Sequence, residues 1–383
     1  MTVRFPQGFR NILPVPINLG LIKAFQTFVS SIISTKVLNR PSKRGPLFVT
    51  WLVTHECNVF CRFCSTHNLK KQFPEAISPE RARKIAYEII RAKTYAVGFT
   101  GGEVLLWPHL FDVIKILKKH GVVVYIVTNG LLLREKADEI LESRLDYVVV
   151  SIDSDDAGEH DRLRDCPGLY EKLAEGIRYL KTRRKGETPL IKAATIICRS
   201  NLPVLERIVD NLKSLVDVTS VQPIVGGYAH GPHGRSETHL EPLMFRSDEE
   251  DFVRGFFDKW VRHSHDFRND YFRLIPRYWF HKEELAAKIN CWSPFLRLQI
   301  LPNGDVFHCT ANAKFPSVGN LNHSSLGEIW NSAEMIRQRE EIRFHRNGCI
   351  CWAQDTSFNA FLGKVPCPKI ASRFVRQCAQ PQK

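Results

Sequence analysis

The chain has 383 residues, enough to bury a full core and to hold one large domain with a smaller one beside it. No apolar run reaches the length that crosses a bilayer, and eleven cysteines in a chain of this size do not read as a secreted disulfide scaffold, so a reducing cytoplasm suits them better. The formal charge of +14 fits nucleic acid, an anionic membrane surface or an acidic redox partner, without choosing among them.

Residues 1–46 form a basic arm. No Asp or Glu precedes Glu56, while Arg4, Arg10, Lys23, Lys36, Arg40, Lys43 and Arg44 carry positive charge. Leu21, Ile22, Phe25, Phe28, Val29, Ile32 and Ile33 recur at helical spacing behind Asn18, which predicts an amphipathic helix within residues 18–39. Such a helix either makes peripheral contact with the inner face of a membrane or packs on the domain that follows. An organellar targeting peptide has a similar composition, but its helix would begin earlier.

From residue 47 to about 225, β-branched runs alternate with helical patterns. Strands are predicted at 48–53, 96–100, 122–127, 147–152, 191–197 and 218–223, and helices at 79–92, 110–119, 135–143, 168–184 and 203–216. Six β-α units in succession give an α/β fold, a partial (β/α)6 TIM-like barrel. In such folds the reactive groups gather at the C-terminal ends of the strands.

Just past the first predicted strand lie Cys57, Cys61 and Cys64, a C-x3-C-x2-C run. Three thiolates from one loop can hold an iron–sulfur cluster with one iron left for another ligand. Two other readings compete: unligated core cysteines, and a zinc knuckle with His67 as fourth ligand. The second strand ends in Gly101-Gly102-Glu103. The glycines permit close backbone approach to a ligand, and the carboxylate can accept hydrogen bonds from an ammonium group. A zinc knuckle predicts no such second motif.

With both motifs at the ends of consecutive strands, residues 47–224 resemble the radical S-adenosylmethionine (radical SAM) superfamily. The resemblance implies that Cys57, Cys61 and Cys64 hold a [4Fe-4S] cluster whose fourth iron is chelated by S-adenosylmethionine (SAM). Reductive cleavage of SAM then yields methionine and a 5′-deoxyadenosyl radical that abstracts hydrogen from an unactivated carbon. It further implies that Gly101, Gly102 and Glu103 bind the methionyl amino group and that Phe63 packs by the adenine. Asn129, in Thr128-Asn129-Gly130, would hydrogen-bond SAM, although Asn-Gly is also a generic turn. Ser151 and Arg164 would contact its carboxylate and ribose; a surface salt bridge is the other reading of Arg164. Gln222 ends the sixth strand and could face substrate or adenine, whereas Cys166 and Cys198 have no partner spacing.

Residues 226–290 form a connector, a turn-rich loop followed by an aromatic-rich helical stretch whose aromatics read mostly as core. Residues 291–383 read as a small cysteine-rich α+β module. There, Pro302-Asn303-Gly304-Asp305 predicts a hairpin turn that brings Cys291 and Cys309 together. This stretch resembles the SPASM/twitch extensions of radical SAM enzymes, with Cys291, Cys309, Cys349, Cys351 and Cys367 as the ligand candidates. The cysteines are too sparse for that family's two-cluster pattern, so one auxiliary [4Fe-4S] cluster is expected; a zinc ribbon is the competing reading.

The basic arm suggests a membrane-associated lipid or isoprenoid substrate. The alternative is oxidation of a peptide or small metabolite, such as a sugar or tetrapyrrole, in solution. A zinc-containing nucleic-acid-binding protein, suggested by the basic charge, is the non-enzyme alternative, although nucleic acid is not the expected partner. Flavodoxin or ferredoxin is the expected reductant, and the enzyme is expected in the cytoplasm, with peripheral membrane contact left open.

Overall fold

The computed structural model describes residues 45–64, 66, 77–224, 241–263, 269–286, 291–309 and 315–343. The arm with its helix at 18–39, His67, the loop at 226–234, Cys349, Cys351 and Cys367 lie outside the described residues.

The predicted β-α alternation is present. The order is β1 (Phe48–Thr54), α1 (Pro79–Arg91), β2 (Ala96–Gly101), α2 (Leu110–Lys119), β3 (Val123–Thr128), α3 (Ala137–Ser143) and β4 (Tyr147–Ser151). It continues through α4 (Ala157–Arg164), α5 (Leu169–Arg183), β5 (Leu190–Ile197), α6 (Leu205–Leu215) and β6 (Val218–Pro223). The local signals are conventional: Ser78 caps α1 through a bond from the Arg81 amide, and Pro79 opens the first turn. All six strands pair in parallel, each with its neighbour in sequence.

Alternation along the strands fixes which side faces the helices. Val49, Trp51, Val97, Phe99, Val124, Ile126, Val148, Val150, Ile191 and Ala193 join one apolar core with the inward sides of the helices. Each such fully buried aliphatic side chain contributes about 1.5–3 kcal/mol. A one-residue slip would turn the whole set outward, so the register is strongly specified. Position-matched residues on the other face, including Tyr125, Lys192, Ala194, Ile196, Ser220 and Gln222, are half-buried. This is the inner face of the partial barrel.

Beyond β6 come α7 (Glu250–His263), α8 (Asn269–Phe280), α9 (Lys282–Ala286) and the short α10 (Ser293–Leu296). Val253, Phe257, Phe272, Ile275 and Tyr278 pack against Ile197, Leu202, Leu205 and Val221, so the connector's aromatics serve chiefly as core. The chain then enters β7 (Arg297–Ile300), β8 (Asp305–Phe307), β9 (Gly319–Asn320), α11 (Leu326–Trp330) and α12 (Ala333–Arg343).

The predicted hairpin is β7–β8, with Gly304 at φ +88° in its turn. It does not stand apart from the barrel. β7 pairs in parallel with β1, so the sheet of nine described strands runs β6-β5-β4-β3-β2-β1-β7-β8-β9 and is not closed. At the N-terminal ends of the strands, Trp292, Phe295 and Leu296 fill the inner face against Leu47, Tyr95, Val123 and Tyr147. That end is plugged with apolar groups, and polar chemistry is left to the opposite end.

Candidate active site

The cysteine loop leaves the C-terminal end of β1 and is tied directly to the end of β2. The Gly102 amide donates to the Thr54 carbonyl at 2.8 Å and the Glu103 amide to the Glu56 carbonyl at 2.7 Å. This contact explains both glycines. A Cβ on Gly101, whose φ is +144°, would lie 2.3 Å from the Thr54 oxygen, and one on Gly102 would lie 2.0 Å from the Glu56 oxygen. The sequence suggests close approach to a ligand; the structure shows the glycines closing on the backbone of the cysteine loop. Gly102→Ala is expected to cost about 3 kcal/mol, the upper end for overpacking, and to lower iron loading. Gly255→Ala, in open space on α7, is the control; denaturant melts and iron counts read both.

Glu103 is fully buried and already well supplied with donors. Oε1 accepts from the Leu105 amide at 3.1 Å and the Thr128 hydroxyl at 2.7 Å, and Oε2 accepts from the Asn129 amide at 2.8 Å. A carboxylate offers about four acceptor positions, so one remains, on Oε2. Burial raises the Glu103 pKa while these hydrogen bonds pull it down. A neighbouring cation would favour its charged form.

Asn129 fastens the loop from the β3 side. Its Nδ2 donates to Asn58 Oδ1 at 2.9 Å and reaches Cys57 Sγ at 3.9 Å, while its Oδ1 accepts from the Leu131 amide. Asn58 is a positioning residue that the sequence reading did not single out.

The third support comes from α4, a helix not predicted from sequence. Its C-terminal Arg164, 6 % exposed, donates through Nε to Asp153 Oδ2 at 2.7 Å and points Nη1 at Cys61 Sγ, 3.7 Å away. The guanidinium carbon also lies 5.0 Å from the centroid of the Phe63 ring. Burial opposes its charge, but Asp153 and the Cys61 sulfur outweigh that and raise its pKa. The surface salt-bridge reading of Arg164 is thereby corrected: the pair is buried, with Asp153 fully so. Asp153 was the missed partner; its Oδ1 also accepts from the Ile196 amide at 3.0 Å. Ser151 is half-buried at the end of β4, outside this hydrogen-bond web. Phe63 packs with Leu163, Ile196 and Ile224.

Cys57, Cys61 and Cys64 are all half-buried. Burial pushes the Cys57 thiol up to about 12; it pushes Cys61 up to about 11 despite the offset from Arg164. Metal-free, the Cys57 and Cys61 thiols stay protonated, and a bound cation releases the protons. Among the described residues no three His, Cys, Asp or Glu side chains converge where one ion could be held. Thiolates on a single zinc would lie about 4 Å apart, given bonds of about 2.3 Å at tetrahedral angles. A cubane takes each thiolate on a different iron, with its sulfurs farther apart than on one zinc, and three half-buried thiols from one loop supply that donor set. The Asn129 and Arg164 donors aimed at two of the sulfurs fit a cluster as well.

In the C-terminal region, Cys291 and Cys309 are both buried. Cys291 packs with Phe315 and with Ile342 of α12. His308 is fully buried, its ring edge-on to Phe315 at 5.1 Å, and burial pushes its pKa down to about 4.

Residues 51–191 match the Radical SAM superfamily, and residues 291–353 match the SPASM iron-sulfur cluster-binding domain. The antilisterial bacteriocin subtilosin biosynthesis protein AlbA of Bacillus subtilis is 24% identical over 83% of this chain and 66% of its own length. Pre-heme d1 synthase of Dinoroseobacter shibae is 28% identical over 79% of this chain and 78% of its own. The crystal structure of Streptococcus suis SuiB bound to precursor peptide SuiA superposes with a TM-score of 0.58 at 16% identity, covering 84% of this chain and 72% of that one. At that identity the likeness is one of fold.

Proposed function

We propose, from the premise that this chain belongs to the radical SAM superfamily and carries a C-terminal SPASM domain, that it oxidises a carbon centre in a peptide. The bound cluster and SAM supply a 5′-deoxyadenosyl radical. The protein's own part is placement. Cys57, Cys61 and Cys64 hold the cluster, and Glu103 offers its remaining acceptor position on Oε2 to the methionyl ammonium. Gly101 and Gly102 let the backbone at the end of β2 meet the cysteine loop, Asn129 and Arg164 orient two of the thiolates, and Ser151 and Phe63 border the SAM volume. Cys291 and Cys309, with ligands from residues 349–367, hold one auxiliary cluster. Flavodoxin or ferredoxin supplies the electron.

The observation that carries the peptide reading is the open edge of the sheet. Among the described residues β6 pairs only with β5, which leaves an edge whose backbone groups can take an extended chain. That edge leads to the half-buried inner face with Ser220, Gln222 and Lys192. The names of AlbA, a bacteriocin biosynthesis protein, and of SuiB with its precursor peptide support the same reading. A carboxylated tetrapyrrole is the second reading, favoured by the likeness to pre-heme d1 synthase.

The lipid expectation rested on residues 18–39, which lie outside the described residues. The peptide alternative has the better support, from the relatives' names. No helix among the described residues is long and apolar enough to cross a membrane.

The test is anaerobic incubation of the reconstituted protein with SAM, reductant and short peptides encoded beside its gene. A peptide product lacking a pair of hydrogens, formed with 5′-deoxyadenosine, is expected. Unchanged peptides, with deoxyadenosine formation stimulated by a carboxylated tetrapyrrole instead, would move the assignment to the second reading.

A further inference from the structure

Behind Cys291 and Cys309 the fold buries a positive charge with no anionic partner among the described residues. Arg339 of α12 is 2 % exposed. Its Nε donates to the Pro294 carbonyl at 3.0 Å and its Nη2 to the Trp330 carbonyl at 2.8 Å, and the guanidinium lies 4.1 Å from the centroid of the Trp330 ring. Its Nη1 is buried without a partner, as is Gln338 Oε1 on the same helix. Two neutral carbonyls and an aromatic face do not neutralise a cation. Burying an ion without a counter-charge costs several kcal/mol, so such groups are normally found beside an anion.

The surroundings indicate where that anion belongs. Pro294, which Arg339 holds, lies three residues beyond Cys291. Ile342, nearly one helical turn beyond Arg339, packs directly on Cys291 and Phe315. An iron–sulfur cluster in a set of thiolates carries net negative charge, and it becomes more negative when reduced. A fixed cation beside it therefore stabilises the reduced form more than the oxidised one.

We infer that Arg339 is the buried counter-cation of the auxiliary cluster and raises that cluster's reduction potential. The inference rests on the reading that Cys291 and Cys309 help hold this cluster. Arg339 acts through its charge and is a positioning residue: neither substrate nor SAM needs to touch it.

The test is an EPR-monitored redox titration of the reconstituted full chain in a Cys57→Ala, Cys61→Ala, Cys64→Ala background, which leaves the auxiliary signal alone. Arg339→Gln is expected to lower the ratio of reduced to oxidised cluster at a fixed potential about tenfold, a midpoint shift of about 59 mV for one electron. Arg339→Met, apolar and of similar reach, covers the case in which the amide disturbs folding. Arg339→Lys should keep most of the wild-type midpoint, and Arg337→Gln, on the exposed side of α12, should leave it unmoved. Midpoints in Arg339→Gln and Arg339→Met equal to wild type, at equal iron content, would overturn the inference. Iron counts in Cys291→Ala and Cys309→Ala test the ligand reading separately: unchanged iron there removes the ligands while leaving a measured Arg339 shift to be explained otherwise.

Discussion

Replacing Cys57, Cys61 and Cys64 together by alanine is expected to remove about four irons per chain and to reduce 5′-deoxyadenosine formation to the level without enzyme. Iron at the auxiliary site should survive, because Cys291 and Cys309 belong to a different part of the sheet, beside β7 and β8. The fold should survive as well. The loop is anchored by backbone bonds from Gly102 and Glu103 and by the Asn58–Asn129 contact, none of which uses a thiol. Each half-buried cysteine lost should cost about 1 kcal/mol, the centre of the distribution for single substitutions. Iron and sulfide analysis, circular dichroism and chromatographic detection of deoxyadenosine read the three parts of this expectation. Undiminished SAM cleavage in the triple variant would refute the assignment of the triad. Zinc without iron in the wild type would return the loop to its metal-knuckle reading.

What the sequence disclosed about this site follows from how local each feature is. The six parallel strands were readable because β-branched runs and amphipathic helices alternate with regular spacing. The triad and Gly101-Gly102-Glu103 were readable because each is a contiguous motif beside a predicted strand. Helix α4 was not, since Ala157 to Arg164 carries charge on half of its positions and no apolar stripe. Its one local signal was Asp156 three residues before Glu159, a cap that the structure uses at 2.8 Å. Missing the helix hid what Arg164 does, because only the helical turn brings that side chain back over the cysteine loop. Asp153 went unnoticed for a similar reason: it lies two residues past the end of β4, and its contacts with Ile196 and Arg164 are long-range facts. The β7–β8 hairpin showed in its turn residues, but parallel pairing with β1 across about 250 residues of chain has no local signature.

The second large effect is expected at Arg164, where stability and chemistry can be separated. Arg164→Met leaves Asp153, fully buried, with an uncompensated carboxylate whose surviving side-chain partner is the Ile196 amide. Breaking a buried pair from one side typically costs about 3–5 kcal/mol, and a loss of that size should appear in denaturant melts. Adding Asp153→Asn removes the stranded charge, so the double variant should recover at least about 1 kcal/mol of it. The Asn oxygen can still accept from Ile196. A purely structural arginine would regain its activity along with its stability. The geometry predicts otherwise. Nη1 is directed at Cys61 Sγ, and the guanidinium covers Phe63, so neither contact returns when Asp153 is neutralised. The double variant should therefore fold and load iron yet still cleave SAM slowly, with a shifted midpoint for the triad cluster. Full recovery of cleavage in that variant would reduce Arg164 to half of a structural ion pair. Persistent loss would place its charge beside the reacting cofactor.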